Sequence, residues 1–158
     1  MSVAAATMEV PIRTDEGVVM AVTLNPYLNF RTSTREAMTF YQSVLGGELN
    51  VSTFGDYGAA QDPADTDLVM HSQLETPDGI TLMAADVPSH MDLAPASSVS
   101  VSLSGDDNAK LTGFYEGLSA GGTIVEALAV APWGDSFGMF VDKFGTSWLV
   151  NIAGSGNA

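Results

Sequence analysis

Residues 38–49 read MTFYQSVLGGEL, and residues 112–124 return to the same words as TGFYEGLSAGGTI. Each passage carries a Phe-Tyr pair and closes on Gly-Gly, and the two tyrosines, Tyr41 and Tyr115, stand 74 residues apart. In the first passage Ala37, Phe40, Tyr41 and Val44 fall at i, i+3, i+4 and i+7, which places them on one face of a helix. Ser33 and Glu36 upstream have the spacing of a capping box. Gly46 and Gly47 supply the left-handed stop at the other end. In the second passage Leu111, Phe114, Tyr115 and Leu118 repeat the apolar face, acidic residues precede it, and Gly121-Gly122 ends it. The repeated words are therefore predicted to be two matching helices.

The flanks repeat as well. Ahead of the first helix, residues 22–30, VTLNPYLNF, read as a strand, with Pro26 marking an edge or a bulge. After it, ELNVSTFGDY alternates as a strand does, and GAAQDPADTD has the small, polar composition of a loop. LVMHSQLETPDGITLMAAD is predicted as a hairpin turning at Pro77-Asp78-Gly79, with Met70 and Met83 facing each other across it. The order then restarts: SSVSVSLSG alternates polar and apolar, TIVEALAVAPW is extended, and DSFGMFVDKFGTSWLVNIAG forms a second hairpin around Asp142-Lys143-Phe144-Gly145. Each half reads β-α-β-β-β, an internal repeat within an α+β chain. The expected organisation is a mobile extension over 1–20, a first module over 21–88, a linker over 89–96, a second module over 97–153 and a flexible tail over 154–158.

The composition narrows the function. Of 158 residues, 46% are apolar and 15% charged, a globular balance. A formal net charge of −14 repels phosphate backbones and anionic lipid, so neither nucleic acid nor membrane is expected as a partner. With no Cys, thiol catalysis, disulfides and thiolate metal sites are excluded. No apolar run reaches the length that spans a bilayer, and the N-terminal residues lack the order of a signal peptide, so a cytoplasmic location is expected. No Gly-rich phosphate loop follows a strand, and Ser119 has no nucleophile-elbow pattern around it.

A β-α-β-β-β module has a helix on one face of its sheet and leaves the other face open. Two such curved modules side by side would make a partly apolar trough for a small molecule. On NPYLNF, EAMTFYQSVLGGEL, VMHSQLETPDGITLMAAD and PWGDSFGMFVDKFGTSWLVNI, the chain resembles the vicinal oxygen chelate superfamily, the glyoxalase and bleomycin-resistance fold. More narrowly it is similar to its PhnB-like branch, once described as 3-demethylubiquinone methyltransferase-like. The resemblance covers about residues 22–153. It implies paired modules forming curved mixed sheets, homodimers, and a ligand site inside each sheet. It does not imply one activity, since relatives include isomerases, dioxygenases, fosfomycin-inactivating enzymes and drug-sequestering proteins.

Metal-dependent relatives hold a divalent ion with His, Glu or Gln on the first and last strands of each half. Here those strands offer Asn25 and Asn29, Asp86 at the end of the second, serines, and Asn151. Neutral amides and hydroxyls hold a transition metal poorly, so no metal and no other cofactor is expected. His71 matches a histidine of the PhnB-like motif and is the best general acid or base in the chain. Gln73 shares its sheet face by alternation. His90 lies in the Pro-rich linker. In APWGDSFG, Gly134 and Gly138 allow tight turns and leave Trp133 and Phe137 as a ligand wall, with Asp135 expected as a solvated surface residue and, in the alternative, as one that orients the loop or touches a cationic ligand. The expected ligand-binding residues are Asn25, Tyr27, His71, Gln73, Met83, Trp133, Phe137 and Asn151. The expected function is binding of a small organic molecule by a homodimer without the usual metal site. The alternative is a metal-dependent lyase, isomerase or dioxygenase of the same fold.

Overall fold

The computed structural model describes residues 12–14, 17–19, 22–93 and 98–154. Strands β1 (Ile12–Thr14) and β2 (Gly17–Val19) pair antiparallel in a ladder of their own. Within the expected N-terminal extension, Gly17–Val19 thus pairs with Ile12–Thr14 and not with a four-stranded sheet. The rest of the expected N-terminal extension lies outside the described residues, as do positions 94–97 of the linker and 155–158 of the tail.

The internal repeat is present in full. The first module runs β3 (Tyr27–Phe30), α1 (Thr34–Leu45), β4 (Glu48–Thr53), β5 (Val69–Glu75) and β6 (Thr81–Asp86). The second runs β7 (Val101–Gly105), α2 (Asn108–Ser119), β8 (Thr123–Val130), β9 (Ser136–Val141) and β10 (Ser147–Ile152). The sheet orders are β3-β6-β5-β4 and β7-β10-β9-β8. In each, the first strand pairs parallel with the last, and the remaining pairs are antiparallel. Two short 3₁₀ turns, Gly55–Tyr57 and Pro63–Asp65, occupy the loop of the first module.

Local chemistry sets the boundaries. β3 starts at Tyr27, later than the sequence pattern suggested, because Pro26 has no N–H for a ladder; its carbonyl still accepts from the Met83 N–H at 3.1 Å. The capping box at Ser33 does not form, since the Ser33 side chain makes no cap hydrogen bond. The Asp86 carboxylate takes over this role, accepting from the Thr34 N–H at 3.0 Å and the Val69 N–H at 2.9 Å. It thereby ties the start of α1 to the start of β5 and the end of β6. In α2 the acidic cap does form: Asp107 accepts from the Lys110 N–H at 3.1 Å.

The two modules share one core. Met38, Tyr41 and Leu45 of α1 cluster with Leu74, Leu82 and Ala84 of the first sheet and with Phe140, Trp148 and Val150 of the second. The Tyr41 ring meets Trp148 edge-on at 5.6 Å, and Gly117 of α2 lies against Val44 of α1. At the centre is a buried carboxylate. Asp142 accepts from the N–H groups of Phe144 and Thr146 with one oxygen, and from the Tyr41 hydroxyl (2.6 Å) and the Trp148 indole N–H (2.8 Å) with the other. A hairpin turn of one module is thus fastened to the helix of the other. On the surface, Lys110 Nζ meets Asp78 Oδ1 at 2.6 Å and links the same two modules more weakly.

Candidate functional site on the two open sheet faces

Because alternate strand residues point to opposite faces, packing one face of each sheet into the shared core leaves the other uncovered. On the first sheet a cross-strand row runs Tyr27, Met83, Gln73, Asn50, set by the registers β3 to β6, β6 to β5 and β5 to β4. Asn29 is paired with Ala85, and His71 with Ser52, two residues along their strands from that row. Met83 therefore stands opposite Gln73, not opposite Met70 as the hairpin pattern suggested. A bulge between Ser52 and Thr53 shifts the register beyond His71.

Two side-chain pairs order this face. The Tyr27 hydroxyl lies 3.2 Å from His71 Nδ1, with the rings tilted at 5.8 Å. Gln73 Nε2 donates to Glu75 Oε1 at 2.8 Å. Partial burial pushes the Tyr27 phenol above the ordinary tyrosine range, so it carries its proton at neutral pH.

The second sheet presents a different chemistry. Its rows run Ser102, Leu149, Met139, Glu126 and Ser104, Asn151, Phe137, Ala129. Trp133 stands above Phe137, edge to face at 5.9 Å, and is 58% exposed. Its loop is fixed: the Ala131 N–H donates to the Asp135 carbonyl, the Gly134 N–H donates back to the Ala131 carbonyl, and Gly134 adopts φ +101. Asp135 is not the solvated surface residue expected but orients the loop, accepting from Asn151 Nδ2 and from the Gly154 N–H, each at 3.0 Å. Phe137 belongs to β9 and not to the loop.

The expected residues are thus divided in two. Tyr27, His71, Gln73 and Met83 share the first sheet face, while Trp133, Phe137 and Asn151 share the second. Asn25 precedes β3 and donates to Thr23 Oγ1. His90 is exposed in the connection after β6. Among the described residues the single trough expected between side-by-side modules does not form, because both sheets turn their helix faces to the common core. A recess of about 610 Å³ follows the edges of β3 and β7 and includes Tyr27, but His71, Gln73, Trp133 and Phe137 lie outside it. Met139 and Leu149 were missed as face residues, although alternation from Phe137 and Asn151 points to them.

The donor set at the equivalent strand positions does not suit a divalent ion. Tyr27 and Asn29, Met83 and Ala85, Ser102 and Ser104, and Leu149 and Asn151 offer amide, hydroxyl and thioether groups and no carboxylate or imidazole. The buried carboxylates of Asp86 and Asp142 are taken up by backbone and side-chain donors. Among the described residues no three His, Asp or Glu side chains come together as a metal site. No helix among them is long and apolar enough to cross a membrane.

A family model described as 3-demethylubiquinone-9 3-methyltransferase matches residues 22–151. Protein YjdN of Escherichia coli is 28% identical over 140 residues, 82% of this chain and 94% of that protein. Protein PA1353 from Pseudomonas aeruginosa, a solved structure, is 33% identical with a TM-score of 0.73, covering 85% of this chain and all of its own. A glyoxylase/bleomycin resistance protein/dioxygenase domain from Frankia sp. superimposes with a TM-score of 0.59 at 15% identity, covering 85% and 99% of the two chains. That last likeness concerns the fold.

Proposed function

The chain belongs to the 3-demethylubiquinone-9 3-methyltransferase family, the PhnB-like branch of the vicinal oxygen chelate superfamily, and from that membership we propose that it binds a small organic molecule on its open sheet faces. The observation that carries the reading is the pair of uncovered faces with unlike chemistry. One is polar, with Tyr27, His71, Gln73 and Asn50. The other is aromatic and apolar, with Trp133, Phe137, Met139 and Leu149. A second copy placing its polar face over the aromatic face of the first closes two equivalent chambers. Each chamber then has an apolar wall for a ligand body and a polar wall to fix orientation. The exposed apolar residues Ile124, Val125 and Val130 of edge strand β8 support a homodimer, since a lone soluble chain gains nothing by leaving them in water.

The donor chemistry above supports binding without a divalent ion. A second reading, an enzyme with His71 as general acid or base, is favoured by the contact between His71 and Tyr27. Titration with the neutral dye Nile red tests the main reading. Saturable fluorescence at one dye per chain, unchanged after dialysis against EDTA and weakened about tenfold in Trp133→Ala or Phe137→Ser, is expected. No saturable binding, or equal binding by both variants, overturns it. Dye binding that EDTA abolishes and zinc or manganese restores overturns the metal-free part.

A further inference from the structure

We propose that Tyr27 is a positioning residue that holds His71 in the tautomer with its proton on Nε2, so that the polar face is a hydrogen-bond donor selective for carbonyl compounds that carry no negative charge. The geometry starts at the 3.2 Å contact between the Tyr27 hydroxyl and His71 Nδ1. A phenol is the better donor of the two groups and an imine-type ring nitrogen the better acceptor, so the proton of the contact belongs to Tyr27. Neutral imidazole has one N–H, and with Nδ1 accepting, that N–H must be at Nε2. No other side-chain partner for the ring occurs among the described residues. His71 therefore offers a donor at Nε2, which within the second reading above leaves the general-acid role.

Its neighbour supplies the complement. The Glu75 carboxylate can only accept, so the contact with Gln73 orients the amide with its NH₂ toward Glu75 and leaves the Gln73 carbonyl as an acceptor. His71 and Gln73 are two residues apart on β5, about 6.6 Å along the strand, and both belong to the open face. Glu75 on the same face and the net charge of −14 disfavour an anion. What remains is a molecule that carries no negative charge and presents a ketone, ester or amide oxygen to His71.

The substrate class rests on the ligand-binding reading above, whereas the tautomer is measured in the free protein, so the two fail separately. Two-bond ¹H–¹⁵N spectra of the full chain at pH 8 report the ring protonation of both histidines, with exposed His90 as the internal reference. The expected ratio of Nε2–H to Nδ1–H forms at His71 exceeds that at His90 by about fivefold, the share of one solvent-accessible hydrogen bond, and falls to the His90 value in Tyr27→Phe. Equal ratios in the wild type, a dominant Nδ1–H form, or no response to Tyr27→Phe overturns the positioning role. Cyclohexanone is expected to move the His71 ring signals and to bind about tenfold more tightly than methylenecyclohexane, which has the shape without the acceptor. Equal affinity for the two overturns the substrate class while leaving any Nile red binding to stand.

Discussion

Asp142 concentrates more consequence than any other single side chain. It is buried and meets four donors, two from its own turn and two from Tyr41 and Trp148. Asp142→Ala would leave those buried donors without an acceptor, and the expected loss is about 3–5 kcal/mol by urea denaturation. Tyr41→Phe removes one donor and leaves the carboxylate bonded, so a smaller loss of about 1–2 kcal/mol is expected. Tyr41 also sets a pH dependence. Burial, then the charge of Asp142 and the hydrogen bond to it, push the phenol far above the ordinary tyrosine range. The native chain keeps this proton where the unfolded chain releases it. Stability is therefore fully present below about pH 10 and falls above it, by about 1.4 kcal/mol per pH unit for this one proton. Denaturation curves of Tyr41→Phe should show a correspondingly shallower decline between about pH 10 and 11. An identical slope in both proteins would contradict the assignment.

The corner from helix to second strand makes the same demand in both modules. A Cβ at Gly47 would collide with the backbone of Glu75, and one at Gly122 with the backbone of Val141 and Asp142. Gly122→Ala should cost about 1–3 kcal/mol from overpacking, and Gly47→Ala more, since Gly47 also has φ +93. By contrast Gly113 is in the middle of α2 with open space around it, so Gly113→Ala should stabilise the chain by about 0.5–1 kcal/mol. Thermal denaturation of the three variants checks the order. The elements were legible because helical spacing, Gly-Gly stops and strand alternation are local and agree with each other. The Ser33 cap was not: its role passes to Asp86, 52 residues away from the Thr34 N–H that it accepts from, and a local spacing rule cannot see that carboxylate. The shortened β3 follows from Pro26, whose missing N–H the pattern of apolar residues conceals.

For the whole molecule, the repeat could be read from the chain but the way its halves meet could not. Both a side-by-side and a shared-core arrangement satisfy the same face patterns, and the choice is made by contacts such as Tyr41 to Asp142, 101 residues apart in sequence. Alternation along β5 put Gln73 on the same face as His71, yet the division of the candidate residues between two faces depends on that choice. Edge strand β8 should belong to the closure. Val130→Glu is expected to shift the chain toward half the mass of the wild type in sedimentation velocity, and an unchanged mass would remove β8 from the interface. The central claim, that a guest is held between unlike faces contributed by two copies, is tested most directly by methyl NMR of methionine-labelled protein during Nile red titration. Met83 belongs to the polar face and Met139 to the aromatic face, while Met38 is fully buried in the core. The Met83 and Met139 methyl signals are expected to shift together with one dissociation constant while Met38 stays in place. Shifts at only one of the two faces, or at neither, would contradict the account.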